Sequence, residues 1–262
     1  MEQTLQLKSY NPRRSTAKDS WLSAPQSVTL ASTDVHVWRA SLVQSLEKLT
    51  FYSSLLTPDE RQRADRFIFE RDRQRFISAR GILRSLLGKY LEQAPEKLRF
   101  SYSEYGKPAI KHPADSDLRF NVSHSHEVVL YAFTRDRAIG VDVEHIGEDR
   151  ATQQIAERFF SAQEVATFLS IPSDKQTEAF FNCWTRKEAY IKGRGEGLSF
   201  PLDRFDVSLA PGSPAELLEC REPENSLSQA WSLQEITSGS GYAAAVAVEG
   251  VRNWTVSCWQ WE

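Results

Sequence analysis

In the run Ile139-Gly140-Val141-Asp142-Val143-Glu144, an extended chain puts Asp142 and Glu144 on one face and the two valines on the other. Adjacent carboxylates repel, so such a pair persists in water, with one group protonated, or with a cation between them. An ordinary strand with a solvated face shows the same alternation, and the pair alone does not define a metal site. A second set lies in the run from Trp184 to Lys192, where Trp184, Glu188 and Lys192 repeat every four residues and share one helical stripe, with Lys187 beside it. A surface Glu188 and Lys192 pair would look alike, yet Phe180, Phe181 and Ile191 flank the stripe and bury part of that face. A carboxylate held there between lysines stays ionised, as a metal ligand or a general base requires. A third set, Phe120-Asn121-Val122-Ser123-His124-Ser125-His126, offers several small donors and an imidazole to a phosphate. Asn and Ser also make turns without function, and His126 reads as an ordinary surface histidine.

Capped helices and short strands must position these residues. Thr57-Pro58-Asp59-Glu60 has the order of a capping box with proline at the first helical position, and a long helix over 72–91 follows, its apolar residues at helical spacing. Ser161-Ala162-Gln163-Glu164 is a second capping box, preceding a helix that ends near Ser170, and a longer helix over 177–192 follows and stops in Gly193, Gly195 and Gly197. Strands are expected near 35–38, 98–102, 128–133, 138–146, 205–209, 231–236, 242–248 and 255–261. A tight turn is expected at 104–108 and a surface loop at 211–228. Strand, capped helix, long helix and strands thus occur twice, which predicts an α+β fold of two related halves meeting at a cleft: 34–136 and 137–262, after an amino-terminal extension over 1–33.

Composition narrows the function. The 262 residues are 40% hydrophobic with a net charge of −3, enough to bury a core and without the global basic field of a nucleic-acid or anionic-membrane binder. A local one exists: the stretch from Arg61 to Lys89 holds nine basic residues against three acidic ones, either a solvated helical face or a docking surface for phosphates or an acidic protein. No membrane-spanning run or secretory leader is evident. Cys183, Cys220 and Cys258 suit neither a disulfide framework nor a zinc site, and a reducing cytoplasm is the expected compartment.

Taken in order, Gly106-Lys107-Pro108, Phe120-Asn121-Val122-Ser123-His124, the 139–144 run, Phe159-Phe160-Ser161-x-x-Glu164 and Trp184-x-x-Lys187-Glu188-x-x-x-Lys192 resemble the Sfp-type 4′-phosphopantetheinyl transferases over about 57–248. The resemblance implies a pseudo-twofold pair of α+β halves with coenzyme A between them. It implies Asp142, Glu144 and Glu188 as ligands of Mg²⁺, with Mn²⁺ as an alternative, and Lys192 near the coenzyme A phosphates. It places Ser123 and His124 at the adenosine-phosphate end, Lys107 and Arg63 as further phosphate ligands, and Gly106 and Asn121 among the coenzyme A contacts. Glu188, or a metal-bound water that it orients, is implied as base, with Lys187 and Lys192 completing the catalytic set. The implied partner is an apo acyl or peptidyl carrier protein, whose serine is the nucleophile, so no serine of this chain need be catalytic. Glu164 is explained by its capping box. Two rival readings are a non-catalytic relative that binds coenzyme A or a carrier protein, and another metal-dependent phosphotransferase or nuclease built on paired carboxylates.

Overall fold

The computed structural model of the chain describes residues 21–147, 153–221, 230–250 and 253–262, so the expected extension over 1–33 lies mostly outside the described residues. The chain runs β1 (Leu22–Ser23), β2 (Asp34–Ser41), α1 (Leu46–Leu55), α2 (Pro58–Ala64), α3 (Glu70–Leu91), β3 (Arg99–Tyr102), β4 (Pro108–His112), β5 (Leu118–Ser125), β6 (Val128–Arg135) and β7 (Ile139–His145). It continues through α4 (Gln153–Phe159), α5 (Ala162–Ser170), α6 (Ser173–Arg194), β8 (Phe205–Val207), β9 (Leu217–Cys220), β10 (Trp231–Glu235), β11 (Tyr242–Glu249) and β12 (Thr255–Gln260). The α+β class is as expected.

Both capping boxes form. The Glu60 carboxylate accepts the Thr57 N–H at 3.0 Å, and Ser161 and Glu164 exchange bonds of 2.8 and 3.1 Å. Helix α6 ends at Gly195, whose φ of +83° is open to glycine at no steric cost. Several features differ from expectation. Helices α1 and α4 and strands β1 and β4 were not foreseen, the 211–228 loop contains β9 paired to β8, and the 120–125 cluster is itself a strand, β5.

Two sheets form, ordered β1-β12-β2-β6-β5 and β10-β11-β7, besides the hairpins β3-β4 and β8-β9. They stack face to face: Val35, Val37, Leu130 and Ala132 of the larger sheet meet Val141, Val143, Val246 and Val248 of the smaller one in a single buried cluster. On the outer face of the larger sheet, Trp38, Tyr131 and Phe133 pack with Ile82, Leu86 and Leu87 of α3. On the outer face of the smaller one, Ala245 and Ala247 pack with Phe181, Ala189 and Ile191 of α6. The layers are therefore helix, sheet, sheet, helix. The last strand does not stay with its own half: β12 lies parallel to β2, Thr255 opposite Asp34, and completes the larger sheet.

Helix α6 presses unusually close to β7. A Cβ built on Gly140 would stand 2.0 Å from the Ala189 carbonyl oxygen and 2.3 Å from the Gly193 nitrogen, both backbone atoms that cannot swing aside. Gly140→Ala should therefore force helix and strand apart, costing at least about 3 kcal/mol. For a chain of this size that is a melting midpoint lower by roughly 10 °C. A calorimetric midpoint equal to that of the wild type would show that the close approach has no energetic weight.

Candidate active site

Because β7 has its valines between the sheets, Asp142 and Glu144 point to the other face, toward α6. Asp142 is 1% exposed. Its Oδ1 accepts the Ser123 hydroxyl at 2.8 Å and the Lys192 ammonium at 2.5 Å, while its Oδ2 is buried with no hydrogen-bond partner. Ser123 also accepts from Lys192 Nζ at 3.0 Å, which closes a three-residue cycle across β5, β7 and α6. Glu144 Oε2 accepts the Ser125 hydroxyl at 3.0 Å.

Glu188 is buried one helical turn before Lys192. Burial pushes its carboxyl up to about 7; Lys192 opposes the shift, and the like charges of Asp142 and Glu144 add to it. Burial alone would lower the Lys192 ammonium, but Asp142, Glu188 and Glu144 outweigh it and hold the group above the ordinary lysine value. Three carboxylates thus share one lysine. Among the described residues, no three His, Cys, Asp or Glu side chains converge closely enough to ligate one ion together.

A polar ladder holds β5 against β7 where the two sheets exchange no main-chain bonds. Asn121 Oδ1 accepts from Val141 N at 2.9 Å, Ser123 Oγ from Val143 N at 3.3 Å, and Ser125 Oγ from His145 N at 3.0 Å. Period two on each strand puts these side chains in register with alternate N–H groups, so they stand in for the missing ladder. Asn121 is a rung of this seam. Ser125, which the sequence offered only as one of several small donors, is another, and its spacing of two from Ser123 was the available signal.

Several expected site residues lie elsewhere. Lys187, expected in the catalytic set, is fully buried and points away from Asp142. Its Nζ donates to the Leu202 and Phe205 carbonyls at 2.6 Å each and pairs with Glu164 Oε2 at 2.8 Å. This is a correction with a plain cause: residues 187 and 188 differ by about 100° around a helix, so only one of them can face the carboxylates. Glu164 is also more than a cap, since its Oε1 accepts the Val207 N–H at 2.8 Å. The ammonium of Lys107, expected on a phosphate, instead donates to Gly193 O at 2.7 Å and Ile139 O at 3.2 Å, and burial lowers it to about 8 against a weaker opposing effect of Glu249. It pins the β3-β4 turn, where Gly106 takes a φ of +81°, to the end of α6.

Arg63 stacks 5.3 Å above Phe76 on the α2 and α3 side, and no hydrogen bond ties it to the Asp142 cluster. His124 is exposed on the face of β5 opposite Ser123. Partial loss of hydration at the ring, then the positive charges of Lys192 and Arg75, lower its pKa from the ordinary histidine value, an effect that its exposure tempers. His126 stacks on His145 at 4.2 Å. The basic stretch is not one solvated face: Arg84 is buried on Glu60 at 2.7 Å, and Arg73 pairs with Asp65 and Glu70 at 3.4 and 3.3 Å.

The halves match known families separately. Residues 38–135 match the model described as 4′-phosphopantetheinyl transferase, N-terminal, and residues 138–247 match that of the 4′-phosphopantetheinyl transferase superfamily. The chain is 38% identical over 243 residues to the 4′-phosphopantetheinyl transferase HetI of Nostoc sp., covering 92% of this chain and 98% of that one. It is 37% identical over 165 residues to the 4′-phosphopantetheinyl transferase Sfp of Bacillus subtilis, covering 63% and 71%. It is 34% identical over 155 residues to the 4′-phosphopantetheinyl transferase gsp of Aneurinibacillus migulanus, covering 59% and 62%. With Asp142, Ser123, Lys192 and Glu188 gathered where the two matched regions meet, the chain belongs to the 4′-phosphopantetheinyl transferase superfamily.

Proposed function

We propose that this enzyme moves the 4′-phosphopantetheine arm of coenzyme A onto a serine of an apo acyl or peptidyl carrier protein, releasing 3′,5′-ADP, with Mg²⁺ bound by Asp142, Glu144 and Glu188, which must draw closer together than they stand here to share one ion. The observation that carries the reading is the buried carboxylate cluster on β7 and α6 with a single lysine among it. Asp142 Oδ2 is buried without a partner, and Glu188 is driven toward neutrality first by burial and then by its like-charged neighbours. Both penalties fall when a cation enters. An all-carboxylate donor set, with neither thiol nor imidazole, suits a hard ion such as Mg²⁺, and Mn²⁺ less specifically. A bound divalent ion supplies charge neutralisation and polarisation at the coenzyme A pyrophosphate.

The chain's own groups then have distinct tasks. Lys192, already raised and held by Asp142 and Ser123, neutralises charge on the departing 3′,5′-ADP. Glu188 takes the proton of the carrier serine as its oxygen bonds to the phosphorus and the bond to the ADP oxygen breaks. Ser123 fixes Asp142 and Lys192 relative to each other. Among the described residues no helix is long and apolar enough to cross a membrane. Cys183, Cys220 and Cys258 stand as thiols outside any disulfide, which suits a cytoplasmic setting.

Dialysis against a chelator should lower transfer to an apo carrier protein by at least about 100-fold, a barrier increase of about 2.7 kcal/mol. Added Mg²⁺ should restore it and Mn²⁺ should do so in part. Full transfer by the chelated protein would remove the metal from the reading, and tighter binding of ATP than of coenzyme A would favour a general phosphotransferase.

A further inference from the structure

The tight contact of α6 with β7 lies at Gly140 and Gly193, where a Cβ on Gly140 would stand 2.3 Å from the Gly193 nitrogen. One side chain holds both backbones at that point. The Lys107 ammonium donates to Gly193 O at 2.7 Å and to Ile139 O at 3.2 Å. Its stem crosses the helix cap, since a Cβ on Gly195 would stand 3.3 Å from Lys107 Cδ. The β3-β4 hairpin carries Lys107 to this place. Its turn is closed by Gly106 N–H on Ser103 O and Ser103 N–H on Lys107 O, both at 2.9 Å, and by Lys107 N–H on Ser103 Oγ at 3.1 Å.

Both carbonyls need such a donor. Gly193 lies in the last turn of α6, where carbonyls have no intrahelical N–H to accept from. Strand β7 is at the edge of its sheet, next to β11, and its period of two turns the main-chain groups of residues 139, 141, 143 and 145 toward the open edge. Asn121, Ser123 and Ser125 serve the last three of these, and Lys107 serves the first. The reacting groups are close by along both backbones. Lys192 directly precedes Gly193, Asp142 follows two residues after Gly140, and the two side chains meet at 2.5 Å.

We infer that Lys107 is a positioning residue for the transfer: by tying Ile139 to Gly193 it fixes the spacing of β7 and α6 at which Lys192 and Glu188 face Asp142. The inference rests on the transferase reading above. It gives the Lys107 ammonium a role in rate rather than in affinity for coenzyme A. A side chain of the amino-terminal half thereby adjusts a cluster whose carboxylates all belong to the other half.

The test compares wild type, Lys107→Met, Lys107→Gln and Lys111→Met as full chains. It reads kcat at saturating coenzyme A, carrier protein and Mg²⁺, and the calorimetric Kd for coenzyme A. Lys107→Met keeps the stem and leaves two carbonyls without a donor, so helix and strand part to let water reach them. Its kcat should fall about 10- to 100-fold, the scale of a displacement of about 1 Å at reacting groups. Its Kd should rise less than about threefold, a small change beside the loss of a phosphate contact. Lys107→Gln is shorter but still a donor, can reach one carbonyl, and should have an intermediate kcat; it replaces Lys107→Met if that variant melts early. Lys111→Met, on the exposed face of β4, should leave kcat and Kd within about twofold. A Kd raised about 10-fold or more would make Lys107 a phosphate ligand and overturn the inference. An unchanged kcat would overturn it too, even with a lower melting midpoint. Failure of the transferase reading looks different, because the wild type itself would then transfer nothing.

Discussion

Glu188→Gln should abolish transfer and at the same time make the ligand-free protein more stable above neutral pH. The Glu188 carboxyl is raised from 4.5 to about 7 by burial and by Asp142 and Glu144, against the pull of Lys192. A carboxyl raised in the folded state binds more protons folded than unfolded, so stability falls as pH climbs from about 4.5 to about 7 and stays low beyond. The whole effect is on the order of 3 kcal/mol, taking 1.36 kcal/mol per unit. Gln has the same shape and no charge to desolvate. Urea melts should therefore show wild type losing stability over that window while Glu188→Gln does not, with the variant ahead at pH 8 and level near pH 4. Removal of the base and of a cation ligand should lower transfer by about 100- to 1,000-fold, the scale of losing one charge-stabilising group. A variant no more stable than wild type at pH 8 would mean that Glu188 is not strained in the ligand-free protein.

Asp142→Ala should be as damaging to transfer and should also destabilise. Asp142 is the shared acceptor of Ser123 and Lys192 and lies at the centre of the cluster. Its loss leaves a half-buried ammonium without its counter-charge. The complete burial figure of 3 to 5 kcal/mol is reduced here because the Lys192 side chain keeps 29% of its exposure, leaving about 1 to 3 kcal/mol. Asp142→Asn keeps an acceptor for Ser123 and loses the charge. It should fold better than Asp142→Ala, though less stably than wild type because Lys192 still lacks its counter-charge, and should transfer about 100- to 1,000-fold more slowly. Near-normal transfer by Asp142→Asn at low Mg²⁺ would show that the charge at 142 is not needed.

Local rules carried the sequence reading where the cause is local. The alternation of Asp142 and Glu144 with two valines survives because β7 has a sheet on one face and a helix on the other. The two capping boxes depend only on residues three apart. The stripe Trp184, Glu188 and Lys192 holds for the same reason, whereas Lys187 shows where a motif misleads. A motif preserves neighbours along the chain, and a helix sends successive residues to different surroundings. The path of β12 into the larger sheet depends on a partner some 220 residues away in sequence, and no local pattern in Thr255 to Gln260 encodes it. Lys107 and Arg75 are harder still: each is a cation in a basic or turn-like context, and only tertiary packing gives one of them two carbonyls and leaves the buried Nε of the other without a hydrogen-bond partner. Ser125 was within reach, since Asn121, Ser123 and Ser125 share a strand face and Val141, Val143 and His145 present matching N–H groups.

The most direct measurement is intact-mass spectrometry of a panel of apo acyl and peptidyl carrier proteins incubated with the full chain, coenzyme A and Mg²⁺. At least one carrier should gain a single phosphopantetheine on serine with 3′,5′-ADP released in equal amount, and Asp142→Asn should leave the same carrier unmodified over the same time. Folded wild type that binds coenzyme A yet modifies none of the carriers, or an Asp142→Asn variant that modifies them at the wild-type rate, would contradict a transfer centred on the β7 and α6 carboxylates.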